Sequence, residues 1–173
     1  HLAEILDYVV MYNPAEVASY HYEGISSNNY GIFDNEWKAS FTATSTAVEI
    51  VVEFAIKQTW PHSDEEVSLQ GKLFTDTGLN NTFQTSVGTE AFTYTQYVTV
   101  PLVFREGTAR FKWTVLGLTV GQSYTIYPAF RRGVGDSANV ILNPSAAGYK
   151  VASIRTTSLP TPRIIRESGS TGI

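Results

Sequence analysis

The sequence predicts an all-β protein, an antiparallel β-sandwich preceded by a short helix and an extended connection. Three observations carry that prediction. Long stretches alternate apolar and polar residues with a period of two, as half-buried antiparallel strands require. Turn-forming pairs punctuate these stretches at short intervals. The 173 residues include 13% aromatic and only 16% charged side chains, a balance suited to pleated, half-buried surfaces. The length leaves room for one sandwich-sized domain plus an extension. Twelve Lys and Arg against 16 Asp and Glu give a net charge of -4. The chain therefore lacks the overall positive charge that drives binding to phosphate backbones or anionic lipid, and neither nucleic acid nor a membrane is expected as a partner. With no Cys, a disulfide scaffold, a thiolate metal site and a cysteine nucleophile are excluded. No stretch approaches the roughly 20 apolar residues of a membrane helix.

The elements follow in order. The chain begins at His1 rather than Met, which reads as a processed product or the ordered part of something longer; residues 1–11 lack the features of a signal peptide. Leu2, Ile5, Leu6, Val9 and Val10 recur at i, i+3, i+4, i+7 and i+8, which predicts a short helix ended by Asn13-Pro14. So short a helix needs a surface to pack on. That surface is either its own domain or, with Leu2, Ile5, Leu6 and Val9 as oligomerisation residues, copies of itself in a coiled-coil stalk. Residues 15–35 lose the period and carry Tyr20, His21, Tyr22, Tyr30 and Phe33. Such a connection is expected to be pinned by its rings across a surface or a neighbouring subunit.

The strand-rich region comes next. Val48, Ile50, Val52, Phe54 and Ile56 fall on one face of a strand, with Glu49, Glu53 and Lys57 on the other. A second alternation runs from Phe92 to Phe104, with Pro101 marking an edge or bulge. Arg105-Glu106-Gly107 is expected to turn this segment into a strand carrying Phe111, Trp113 and Val115. Shorter strands are expected at 37–44, 67–75, 124–131, 139–143 and 149–157. No helix-length apolar pattern separates them, which argues against a parallel βαβ sheet. The organisation expected is attachment over 1–35, a sandwich over 36–160 and a polar tail over 161–173, mobile or leading to something beyond.

Between two of these strands lies Leu118-Thr-Val-Gly121-Gln-Ser-Tyr124, preceded by Gly117. It reads as a corner at which the chain leaves one sheet for the other. Leu118 plugs the base of the core and Gly121 makes the turn. Tyr124 buries its ring and offers its hydroxyl to an orphan backbone group. The arrangement resembles the tyrosine corner of fibronectin type III and related immunoglobulin-like sandwiches. The resemblance extends more loosely from Tyr124 to Thr157 and implies an immunoglobulin/fibronectin III-like fold. Two features depart from that pattern: the early-strand Trp has no counterpart, because Trp37 comes too soon, and the span after Gly133 is long.

Chemistry-bearing residues are sparse. His62-Ser-Asp-Glu-Glu66 has metal-ligand side chains within five residues, but it reads as a solvated acidic turn, and no further zinc ligands are evident. Asp76-Thr-Gly-Leu-Asn-Asn81 lacks the ligand pattern of a calcium loop and reads as a β-turn. No nucleophile or phosphate-cradle motif is present, so no metal, cofactor or enzymatic activity is expected. The candidate ligand contacts are Trp60 with His62, and Arg131 with Arg132. Trp60 could stack on a sugar or plug the end of the sandwich. The two arginines could meet a carboxylate or sugar, or simply end a strand in solvent.

The lead-in segment, the aromatic connection, the Cys-free sandwich and the polar tail together suggest a structural virion protein of a tailed bacteriophage. A fibre, collar or decoration component is expected, located in the virion and assembled as a homotrimer with other virion proteins. Its exposed loops would contact a host-surface glycan. Residues 104–132 also resemble the fibronectin-like modules of phage fibres. The alternative is a secreted carbohydrate-binding or fibronectin-like adhesion module.

Overall fold

The computed structural model describes residues 4–11, 22–23, 29–32, 34–58, 65–83, 86–87, 92–98, 105–132, 140–142 and 151–160. These residues form β-strands and turns, with no helix among them, and hence no helix long and apolar enough to cross a membrane. The strands are β1 (Ile5–Met11), β2 (Tyr22–Glu23), β3 (Ala39–Thr42), β4 (Ala47–Gln58), β5 (Glu65–Phe74), β6 (Ser86–Val87), β7 (Phe92–Val98), β8 (Arg105–Val115), β9 (Ser123–Arg132), β10 (Val140–Leu142) and β11 (Ala152–Leu159). They build two antiparallel sheets. In the seven-stranded sheet β4 is central: β8 runs along one edge, and β11 followed by β10 runs along the other. Outside these lie β1 on β11, β2 on β10 and β6 on β8. The four-stranded sheet has the order β3-β9-β5-β7.

The alternation read in the sequence is what joins the sheets. Val48, Ile50, Val52 and Phe54 of β4 point inward with Phe111, Trp113 and Val115 of β8, and all are almost fully buried. From the smaller sheet, Ala39, Phe41, Leu73, Ile126 and Phe130 meet them. The Phe130 ring lies 4.8 Å from that of Phe54, edge to face, and 5.0 Å from that of Phe111. Aromatic rings at such separations prefer these tilted arrangements. Gly71 of β5 makes the cluster possible. A Cβ there would stand 2.9 Å from Phe111 Cδ2 and 3.1 Å from Phe130 Cε1, so any side chain would displace a packed ring. Trp37, just ahead of β3, is also fully buried in this core.

The helix that the apolar spacing predicts over residues 2–10 is not found. Ile5–Met11 is a strand, paired antiparallel with β11 from Ile5↔Thr157 to Met11↔Ala152, and Leu2 lies outside the described residues. A register irregularity between Ile5 and Asp7 supplies the physical reason for the misreading. A bulge places two consecutive residues on one side of a strand and breaks the period of two. Leu6 and Val9 thereby pack on the core three residues apart, as on a helix, Met11 follows at the strand's period of two, and Ile5, Tyr8 and Val10 stay exposed. Leu6 and Val9 are packed against the core of their own sandwich, one of the two surfaces expected for this segment. Polar bonds fix the segment further. Asp7 Oδ2 accepts from Ser40 N–H at 2.8 Å, tying β1 to β3 across the open side of the sandwich. The Glu4 backbone N–H donates to Ser158 Oγ, and Glu4 Oε1 accepts from the Thr44 hydroxyl.

A second difference lies at Arg105-Glu106-Gly107. These residues make no turn; they pair with Gln58, Lys57 and Ile56 as the start of β8.

Candidate contact face

The register of the large sheet assembles a surface that no single segment contains. Across β1, β11, β4 and β8, three outward-facing rows can be read: Ile5–Thr157–Glu49–Thr114, Tyr8–Arg155–Val51–Lys112 and Val10–Ser153–Glu53–Arg110. Directly opposed side chains in an antiparallel sheet stand close enough to act as pairs. Arg110 and Glu53 do so here, with Nε 3.7 Å from Oε2, and Lys112 reaches diagonally to Glu49, with Nζ 3.1 Å from Oε2. Arg155, in the middle row, has no acidic partner within ion-pair distance among the described residues. Val51, although outward-facing, is 2% exposed, while Tyr8 and Ile5 on the neighbouring edge strand are 59% and 60% exposed.

This relief leaves a hollow of about 210 Å³ lined by Tyr8, Val51, Glu53, Val151, Ser153 and Arg155. Its lining offers an aromatic wall, two valines, a hydroxyl, a carboxylate within 3.7 Å of Arg110 and, among the described residues, one cation with no acidic partner. All but Val151, which immediately precedes β11, stand on paired strands, so their backbone positions are fixed by ladder hydrogen bonds rather than by loop conformation.

The opposite face of the molecule carries a different cluster. Tyr30, from the aromatic connection, lies on β5 and β9 beside a backbone bridge between Gly31 and Phe130. Arg131 stacks its guanidinium 4.6 Å from the Tyr30 ring centroid while Nε donates to Gln70 Oε1 at 2.8 Å. Lys72 Nζ sits 5.9 Å from the Tyr30 and Phe74 rings, and the two rings meet edge to face at 5.7 Å. Burial pushes the Tyr30 hydroxyl pKa above its ordinary value, and the Arg131 charge partly offsets that rise. Tyr30 is thus pinned across a surface of its own chain. Arg131, expected as a ligand contact, holds this pin.

At the corner, Thr119 N–H donates to the Tyr124 hydroxyl at 2.9 Å, five residues back along the chain. Gly117 and Gly121 adopt φ of 75° and 88°, the left-handed region that favours glycine. Leu118 is buried, and its N–H donates to Thr46 O, while Gly121 N–H donates to Ala43 O. The turn at 76–81 is organised by Asp76, whose carboxylate accepts from Asn80 N–H and Asn81 N–H. Those donors hold its pKa below the usual carboxylate range.

Trp60 and His62 lie outside the described residues, and Arg132 ends β9 opposite Leu69. Sequence reasoning missed Tyr8, Ser153 and Arg155. The one available signal was Val51 and Ala55 alternating with Glu49 and Glu53 on the polar side of β4; both prove buried. No family model and no curated protein matches the chain.

Proposed function

We propose that the chain is a non-catalytic contact and assembly module: a β-sandwich component of a tailed-bacteriophage virion, in a fibre, collar or decoration protein, that forms a homotrimer and meets a host surface. The observation that carries this reading is the outer face of the large sheet. There Glu49 and Glu53 of β4 pair with Lys112 and Arg110 of β8, and the edge strand presents Ile5, Tyr8 and Val10 to the outside. Such a surface suits rigid recognition. The exposed apolar strip along β1, beside the partly exposed Val151, also favours burial against another protein surface. Chromatography with light scattering on the full chain tests assembly. Three chain masses in one particle are expected, and a clean monomer at micromolar concentration contradicts the assembly reading.

One observation favours a second reading, a secreted carbohydrate-binding module. The Tyr8 hollow combines an aromatic wall with hydrogen-bonding side chains, the combination that sugar recognition uses. A monomer that binds glycan through this face would select that reading over the first.

A further inference from the structure

We propose that the hollow between β1, β11 and β4 binds a single acidic sugar ring, a pyranose bearing a carboxylate. The proposal rests on the reading of this face as a contact surface and adds the class of ligand it takes.

Size sets the first limit. At about 210 Å³ the hollow is smaller than the roughly 300–1,000 Å³ clefts that enclose drug-sized ligands. It therefore accommodates one ring, with the rest of any chain running on over the sheet. Chemistry sets the second limit. Tyr8 supplies an exposed aromatic wall, which matches an apolar C–H face of a pyranose. Ser153 and Glu53 supply the hydroxyl and carboxylate that hydrogen-bond sugar hydroxyls.

Charge sets the third. Glu49 is paired with Lys112 and Glu53 with Arg110, so among the described side chains of the three rows two cations are matched by two acids. Arg155 is the surplus. Its planar guanidinium can take a carboxylate through two parallel hydrogen bonds, which lysine cannot imitate. Its cross-strand neighbours Tyr8 and Val51 carry no charge, so nothing directly beside it in the row competes for that contact. A neutral sugar would leave Arg155 unmatched, whereas a hexuronate would engage ring, hydroxyls and carboxylate together.

Calorimetric titration of the full chain with a methyl hexuronoside and with the matching neutral methyl hexoside tests the proposal. The uronoside is expected to bind about tenfold or more tightly than its neutral counterpart, the difference one charge-assisted contact supplies. Arg155→Gln should abolish that preference and Tyr8→Ala should weaken both ligands, whereas Lys72→Gln on the opposite sheet should change neither. All three side chains lie on the protein's outer faces, and thermal melts confirm that each variant folds. Equal binding of the two sugars, unaltered in Arg155→Gln, would overturn the acidic class while leaving the face a sugar site. Absence of binding to either would overturn the site itself. Neither result bears on assembly, which light scattering reads separately.

Discussion

Tyr124 holds its corner through a single hydrogen bond at a position that solvent can reach. Tyr124→Phe removes that bond while keeping the ring contacts to Phe41 and Phe83, so a loss of about 0.5–1.5 kcal/mol is expected in a denaturant melt. A change near zero would show that the hydroxyl contributes nothing to the corner. Gly71 is the opposite case, defined by what stands across the core rather than by its own chain. Gly71→Ala forces Phe111 or Phe130 to shift and should cost about 1–3 kcal/mol, the range for overpacking; an unchanged melt would contradict the close approach. Asp76 adds a pH dependence. Its pKa falls on folding, so its contribution is present above the unfolded pKa and is lost as pH drops through the lower folded value. A carboxyl titration followed by NMR should place its midpoint below that of an unstructured Asp, and a midpoint at or above that reference would contradict the bonds from Asn80 and Asn81. The corner was legible in the sequence because its residues lie within seven positions. The role of Gly71 was not, because two phenyl rings from other strands create it.

Among the elements, the long alternating strands could be read directly. From Val48 to Phe54 each inward position of β4 is apolar, and two of the outward positions, 49 and 53, are Glu, so only one register buries the apolar set. β1 could not be read so, since the irregularity between Ile5 and Asp7 gives a strand the spacing of a helix. Arg105–Gly107 failed for another reason: a Gly beside charged residues looks like a turn until β4 is found opposite. The pairing of β1 with β11 makes a sharp prediction, helped by the absence of Cys elsewhere. Val10 and Ser153 are directly opposed, at a separation within disulfide reach for cross-strand partners. Oxidised Val10→Cys/Ser153→Cys protein should form that bridge within one chain without distortion, as mass spectrometry after digestion would show. A helical 2–10 segment would leave both thiols free.

At the scale of the whole molecule, the strand order departs from the sandwich that the corner motif resembles. In immunoglobulin constant-type domains the last strand lies in the sheet of the strand that follows the corner. Here β11 lies beside β4 in the other sheet, and β3 takes the place next to β9. That exchange matters for function because it brings β11 against β1 and β4, and so sets Arg155 and Ser153 beside Tyr8, Val51 and Glu53. Residues 8, 51–53 and 151–155 are far apart in the chain, and only the sheet order joins them, which is why the contact face could not be read from the sequence. The candidates legible in the sequence, Trp60, His62, Arg131 and Arg132, rest on local context alone. One measurement separates the two sets: amide chemical-shift mapping of the full chain during titration with a methyl hexuronoside. The account predicts shifts concentrated at Tyr8, Val51, Glu53, Ser153 and Arg155, and shifts concentrated around residues 60–62 or 131–132 would contradict it.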